Sequence, residues 1–273
     1  MKPMRNLIIL VFCGVCLLTA CNKKASKEEM VVIKTEFGEM KVKLFNETPL
    51  HRDNFLKLTR EGFYDGTLYH RVIKKFMIQG GDPDSKEAHE GQRLGSGGPG
   101  YTIPAEFIEG KRHHKGVLAA ARQGDQVNPE KKSSGSQFYI VQGKVYSEAG
   151  LDSLEIQFNS RKRQDILRSI QLAKRGELLR LQQEGNTDKF NELLVEIEEQ
   201  AEEEYNDAEK FSFSPEERKV YTTVGGTPHL DRNYTVFGEV VEGLDVLDKI
   251  SSVETDQFDR PVKDIKMEIE VIE

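Results

Sequence analysis

Arg71, Phe76, Met77 and Gln79 fall in one short stretch, Tyr69-His70-Arg71-Val72-Ile73-Lys74-Lys75-Phe76-Met77-Ile78-Gln79-Gly80-Gly81-Asp82, and together supply a permanent cation, an amide and an apolar surface. Residues two apart in a strand share a face. Arg71 and Ile73 are therefore expected to point one way, and a second short strand sets Met77 and Gln79 together on another face. Arginine is seldom buried without a partner, so this is the pattern of a site and not of a purely structural core. Its guanidinium would act as a planar, rigid hydrogen-bond donor.

Other combinations of reactive side chains carry less. His113 and His114 are adjacent, and adjacent residues on a strand face opposite ways, so no metal site is expected of them. Asp82 and Asp84 lack the apolar setting that would raise a carboxylate pKa, which argues against acid–base hydrolysis. The passage Gly95-Ser96-Gly97-Gly98-Pro99-Gly100 lacks the Gly-Lys-Ser/Thr ending and the following helix of a phosphate-cradling loop, and reads as an ordinary loop.

The chain of 273 residues has a formal net charge of -7 and is 37% hydrophobic, enough for one ordinary globular domain plus extra material. Mild acidity without a basic cluster excludes a general nucleic-acid binder. At the N-terminus, Lys2 and Arg5 precede the apolar run Leu7 to Leu18, the form of a secretory signal that is too short for a confident membrane-spanning helix. The run leads to Leu18-Thr19-Ala20-Cys21, which looks like a bacterial lipobox, in which the cysteine is lipidated and becomes the first mature residue. Residues 1–20 are thus expected to be a signal peptide and 21–29 a polar tether from lipidated Cys21, with the chain held outside the cytoplasm on a bacterial membrane. All three cysteines, Cys13, Cys16 and Cys21, lie in this segment, so the mature body would contain no disulfide.

Residues 30–273 are expected to form the folded domain. Val31–Phe37 and Met40–Phe45 read as strands with Gly38-Glu39 as the turn between them. Thr48 and Pro49 open a helix that Gly62 stops, with Thr48 as its cap. Strand character returns at Tyr69–Gln79, Gln137–Val141 and Tyr234–Val240. A short helix follows around Leu244, Leu247 and Ile250, and an alternating strand runs from Ile265 to Val271.

From about 146 to 220 the composition turns helical and charged. Ile166, Ile170, Ala173 and Leu181 recur at helical spacing, as do Phe190, Leu193, Leu194, Ile197 and Ala201. Gly185-Asn186 breaks the pattern, with Thr187 as the expected cap of the next helix, and Ser214-Pro215-Glu216-Glu217 has the form of a capping box. The first arm is basic (Arg161, Lys162, Arg163, Arg168) and the second acidic (Glu196, Glu198, Glu199, Glu202), which predicts an antiparallel hairpin whose arms attract. This insertion is either a solvated excursion or a surface for a protein partner.

Three motifs in order, Phe76-Met77-Ile78-Gln79-Gly80-Gly81-Asp82, Gly135-Ser136-Gln137-Phe138 and Val236-Phe237-Gly238-Glu239-Val240, resemble the signatures of cyclophilins. The resemblance implies a mainly β fold, a closed eight-stranded antiparallel barrel capped by two helices, here carrying the charged helical insertion. It implies a peptidyl-prolyl cis-trans isomerase that needs no cofactor and acts on proline-containing polypeptides as a monomer, assisting the folding of exported proteins. Arg71 would be catalytic. Phe76, Met77, Gln79, Ala121, Arg122, Gln137, Tyr139, His229, Leu230 and Tyr234 would form the proline pocket and its surroundings, with Gln79 holding a substrate carbonyl. The chain departs from the commoner family pattern at Arg122, at Tyr139 in place of a phenylalanine, at Tyr234 in place of a histidine, and at His229 in place of a tryptophan. The Tyr139 hydroxyl would either narrow the pocket or face out of it. The alternative is a scaffold or chaperone on the same fold that binds partners through the insertion, with little isomerase activity.

Overall fold

The computed structural model describes residues 28–272; the expected signal peptide, Cys21 and the tether as far as residue 27 lie outside the described residues. Two strands begin the fold, β1 (Met30–Thr35) and β2 (Gly38–Leu44), followed by helix α1 (Pro49–Arg60) and a hairpin of β3 (Arg71–Ile73) and β4 (Met77–Gly80). Next come β5 (Thr102–Ile103), β6 (Val117–Ala120), β7 (Ser133–Ser134) and β8 (Phe138–Val141). The insertion then contributes α2 (Glu148–Ala173), α3 (Arg175–Gln183), α4 (Thr187–Asp207) and α5 (Pro215–Thr223). The chain finishes with β9 (Val236–Glu242), α6 (Leu244–Ile250) and β10 (Glu268–Ile272).

Eight strands form one antiparallel curled sheet in the order β10-β1-β2-β9-β6-β8-β4-β3. The expected closed barrel is therefore open along one seam. Strand β3 is three residues long, and the chain facing it is a turn: Val72 donates to Asp259 O at 2.7 Å, and Asp259 itself has φ 64°. The chain just before β3 reaches the approach to β10 through a bridge at Leu68 and Lys266, where Gly66 donates to Met267 O, Met267 to Thr67 O and Tyr69 to Ile265 O, each at 2.9 Å, without forming a continuous strand pair between β3 and β10.

Period-two alternation divides the sheet into two faces with different tasks. Val72, Ile78, Leu118, Ala120, Phe138 and Ile140 point inward and join Val31, Ile33, Met40, Val42 and Leu44 in the main core, which α1 caps with Phe55, Leu56 and Leu58 and α6 with Val246, Leu247 and Ile250. The alternate residues Met77, Ala119, Tyr139 and Val141 point outward into a second cluster with Leu230 and Val236. Strands β6 and β8 are buried at every position because each of their faces belongs to a core.

Local expectations shift at three places. The β1–β2 turn is Glu36-Phe37, two residues earlier than expected, since Thr35 pairs with Gly38 and its hydroxyl accepts the Phe37 N–H at 3.1 Å. Thr48 occupies the cap position of α1 without capping it. The Glu106 carboxylate, from a distant loop, accepts the Leu50 and His51 N–H groups at 3.1 and 3.0 Å instead. Asn186, not Thr187, caps α4.

Within the insertion, the first arm is split at Lys174, whose φ of -89° and ψ of 0° leave the helical region. The arms meet along an apolar seam of Ile170, Leu181, Leu193, Ile197 and Ala201. Ala173 lies outside that seam and is exposed. Opposite charge contributes one cross-arm pair among the described residues, Arg163 with Glu202 at 2.6 Å, and it is exposed, so packing and not attraction holds the arms together. The capping box at Ser214 and Glu217 forms as expected. At the base, Arg218 of α5 reaches Glu148, Asp152 and Glu155 of α2, within 2.7 to 2.8 Å of each.

One buried base sets an expected pH dependence. His70 is 5% exposed, and burial pushes its pKa down to about 4 despite the opposing pull of Asp82. The unfolded chain, with an ordinary histidine, binds the proton first as pH falls. Stability is thus complete above about pH 6.5 and declines toward pH 4, by about 3 kcal/mol from this group. Urea midpoints at pH 7.5 and 4.5 should therefore separate more in the wild type than in His70→Gln; equal separations would refute the assignment.

Candidate active site

The β3–β4 hairpin builds the first wall. Arg71 pairs with Gln79 and Ile73 with Met77 across the two strands. Directly opposed residues of an antiparallel pair share a face, so the cation, the amide and the apolar side chains stand on one surface and not on the two expected from local alternation. The turn between the strands uses Lys75 at φ 63°, and the Phe76 carbonyl accepts the N–H groups of Gln142 and Gly143 at 3.0 Å each. Those bonds fix Phe76 at the pocket's edge.

Arg71 is held at two points. Its Nη1 lies 3.5 Å from Gln79 Oε1, and its Nε lies 3.5 Å from the Asp259 carboxylate. Guanidinium has five N–H donors, so these long contacts orient the fork and leave donors for a substrate. Gln79 in turn donates to Gln137 Oε1 at 3.0 Å, and Gln137 donates to Gly97 O at 2.8 Å. The amides form a rail from the arginine to the Gly-rich loop. Buried Asp82 secures that loop, accepting the N–H groups of Asp84, Gly95 and Gly97.

The opposite wall is aromatic. The rings of Tyr139 and Tyr234 meet edge-on at 5.8 Å, and the Arg122 guanidinium lies 4.6 Å from the Tyr234 ring centre. Arg122 also donates to Asn233 O at 2.8 Å, so its side chain, as well as its backbone, buttresses the wall. The Tyr139 hydroxyl is 3.0 Å from His113 Nε2 on the side away from the pocket cluster, which resolves the open choice: it faces out, and the pocket sees the ring. Burial raises the Tyr139 hydroxyl well above the usual phenol range, so it stays protonated and available to donate.

These walls enclose a cavity of about 170 Å³ lined by Arg71, Phe76, Met77, Gln79, Ala121, Arg122, Tyr139, Leu230 and Tyr234. Two expected residues are elsewhere. Gln137 lines an adjoining groove of about 1010 Å³ together with Gln79, Ala121 and Arg122. His229 is exposed, stacks on the Phe76 ring at 5.6 Å, and does not line the cavity. It occupies the middle of the one-turn 3₁₀ segment Pro228–Leu230, in which neighbours project about 120° apart, so Leu230 can enter the pocket only if His229 points away.

Sequence reading missed Asp259, which pairs with Arg71, and Asp231, which binds His113. Neither lies near its partner in the chain, and no local pattern marks them. His113 itself attracted notice only as a metal candidate; it is fully buried, while His114 is partly exposed and faces Glu239.

The family model for cyclophilin type peptidyl-prolyl cis-trans isomerase/CLD matches residues 30–176 and 205–271, and the gap covers most of the outer part of the insertion. A putative bifunctional phosphatase/peptidyl-prolyl cis-trans isomerase of Streptococcus pyogenes is 32% identical over 250 residues; the alignment covers 89% of this chain and 38% of that protein. A putative peptidyl-prolyl cis-trans isomerase of Staphylococcus epidermidis is 30% identical, covering 90% of this chain and 93% of the relative. Among solved structures, a cyclophilin type isomerase of Cryptosporidium parvum matches with a TM-score of 0.52 at 19% identity, over 90% of this chain and 98% of its own. The same protein, solved in the presence of the dipeptide Ala-Pro, matches at 0.51, over 89% of this chain and 99% of its own.

Proposed function

The chain belongs to the cyclophilin-type peptidyl-prolyl cis-trans isomerase family, and from that premise we propose that it rotates X-Pro bonds of exported polypeptides using Arg71 as the catalytic group. The carrying observation is the convergence of Arg71, the Gln79 amide and an apolar seat for a proline ring on one cavity. The Ala-Pro dipeptide present with the Cryptosporidium relative supports proline-containing peptides as the substrate class here.

Rotation of an X-Pro bond breaks amide resonance against a barrier of roughly 18–20 kcal/mol, and it needs no nucleophile. What accelerates it is a group that binds the twisted amide better than either planar form. As the bond twists, the proline nitrogen regains its lone pair and becomes an acceptor. Arg71, oriented by Gln79 and Asp259, is placed to donate to that lone pair. Phe76, Met77 and Leu230 hold the ring, and the Gln79–Gln137 rail offers amide groups to a substrate carbonyl. One end of the bond is thereby held while the other turns. An isomerisation assay on a short X-Pro peptide tests this reading, and a rate equal to the uncatalysed one would overturn it.

The setting proposed is the outside of a bacterial membrane, with the chain anchored through lipid on Cys21 and assisting the folding of exported proteins as a monomer. The Leu-Thr-Ala-Cys sequence supports it. Cys21→Ser is expected to move the protein from the membrane to the soluble fraction in cell fractionation, because stable anchoring requires acyl chains that only the cysteine can carry. Unchanged membrane association would refute the anchor. The alternative role of the insertion, as a surface for a protein partner, is supported by its size and by the exposed charge of α2 and α4.

A further inference from the structure

Beneath the pocket lies a buried set of polar groups that the mechanism above does not use. Asp231 directly follows the pocket residue Leu230, and its side chain is 13% exposed. One carboxylate oxygen accepts the His113 backbone N–H at 2.8 Å and lies 2.9 Å from His113 Nδ1. The other accepts the hydroxyl of Tyr221. A carboxylate only accepts, so it favours the Nδ1–H tautomer of His113, which leaves Nε2 to accept from the Tyr139 hydroxyl.

The two ends of this chain belong to different parts of the molecule. Tyr139 is the aromatic wall of the pocket, on β8. Tyr221 is a fully buried residue of α5, packed with Leu151 and Phe213 in the base of the helical insertion. Backbone bonds reinforce the junction: Thr227 donates to His113 O at 2.8 Å, and a Cβ at Gly226 would stand 2.2 Å from that same oxygen. His113 also stacks on the Tyr139 ring at 6.0 Å and meets Tyr234 edge-on at 6.4 Å.

We propose that Asp231 is a positioning residue for the proline pocket: it anchors His113 so that the Tyr139 hydroxyl is drawn out of the pocket, and through Tyr221 it makes the helical insertion part of the pocket's frame. The proposal rests on the isomerase reading and deepens it. Without the carboxylate, His113 loses its tether and the buried Tyr139 hydroxyl loses a fixed acceptor. A buried hydroxyl without a partner is costly, and the nearest relief is to turn toward the open cavity, where it would occupy the seat of the proline ring. The insertion thus shapes substrate binding without touching substrate.

The expected signature is a split between KM and kcat. The pocket grips the proline ring equally in the planar and twisted states, so a distorted wall weakens uniform binding, raising KM while leaving the chemical step. A merely structural weakening would reduce the folded fraction, lowering apparent kcat at unchanged KM. In the full-length chain, Asp231→Ala is expected to raise KM for a short X-Pro peptide about tenfold with kcat within about twofold, and Tyr221→Phe to raise KM about threefold. The double variant should show no more than Asp231→Ala alone, because the Tyr221 hydroxyl acts through the carboxylate.

A wild-type KM in Asp231→Ala, a loss confined to kcat, or fully additive effects would each overturn the proposal. Should Asp231→Ala not fold, Tyr221→Phe removes a single oxygen and decides the matter by itself, a wild-type KM again counting against it. Titration of the same peptide by chemical-shift change gives Kd for every variant. A wild type that binds the peptide without turning it over would overturn the isomerase reading, while the Kd series would still judge the positioning of Tyr139.

Discussion

Arg71→Ala should lower kcat/KM for a short X-Pro peptide by about two to three orders of magnitude, the usual cost of deleting a preorganised donor aimed at charge that develops in the transition state. The loss should appear mainly in kcat, because the guanidinium gains strength only when the proline nitrogen regains its lone pair. The proposed proline seat, where Phe76, Met77 and Leu230 line the cavity, is untouched, so peptide affinity should change little. Arg71→Lys should recover only part of the rate. A lysine offers a mobile point charge, whereas Gln79 and Asp259 are spaced to orient a planar fork. Equal rates for wild type and Arg71→Ala would sink the mechanism.

A large loss of stability is expected from Gly81→Ala, at about 3 kcal/mol or more. Gly81 adopts φ +84°, and a Cβ there would stand 2.3 Å from Ser136 O and 3.2 Å from Gln137 Cα. These are backbone atoms that cannot rotate aside. The contact lies where β4 leaves the sheet beside the Ser136-Gln137 segment, which also donates from Ser136 Oγ to Gly81 O at 2.7 Å. Relief would push Gln137 away from Gln79 and break the amide rail. Gly66→Ala is the matched comparison: its φ is +78° but nothing lies within 4 Å of the added carbon. It should cost only the backbone strain, about 1 kcal/mol. Urea midpoints at constant m-value would measure both, and equal losses would show that close approach at Gly81 is unimportant.

Much of the site was legible before the fold was known, because strand periodicity and the three motifs involve residues near one another in the chain. Period two placed Arg71 with Ile73, and Met77 with Gln79, and within each strand the sheet keeps those pairs together. It did not say how β3 lies against β4. That is a matter of register, and the pairing of Arg71 with Gln79 merged two expected faces into one. Helix ends were legible where the cap is local, as at Ser214 and Glu217. They were not legible where a distant group intervenes, as Glu106 does at α1.

Charge in the insertion misled for a related reason. The basic and acidic arms are real, yet exposed charges in water attract weakly, and the apolar seam along Ile170, Leu193 and Ile197 sets how they pack. His229 was placed in the pocket by the family resemblance, and one turn of 3₁₀ helix turns it out of the cavity to stack on Phe76. Closure of the barrel was expected from the family resemblance, but it needs an edge long enough to pair, which the three residues of β3 do not supply.

By itself the sequence determined the family and its isomerase activity, through three motifs that resemble cyclophilin signatures, and it pointed to Arg71 as the candidate catalytic group. Tertiary structure decided what surrounds them. The direction of the Tyr139 hydroxyl, the hold of Asp259 on Arg71, and the line from Tyr221 through Asp231 to His113 all join residues far apart in the chain. Hydrogen bonds and ion pairs act over a few ångströms, whatever the separation along the chain, so partners of this kind become visible only once the chain is folded.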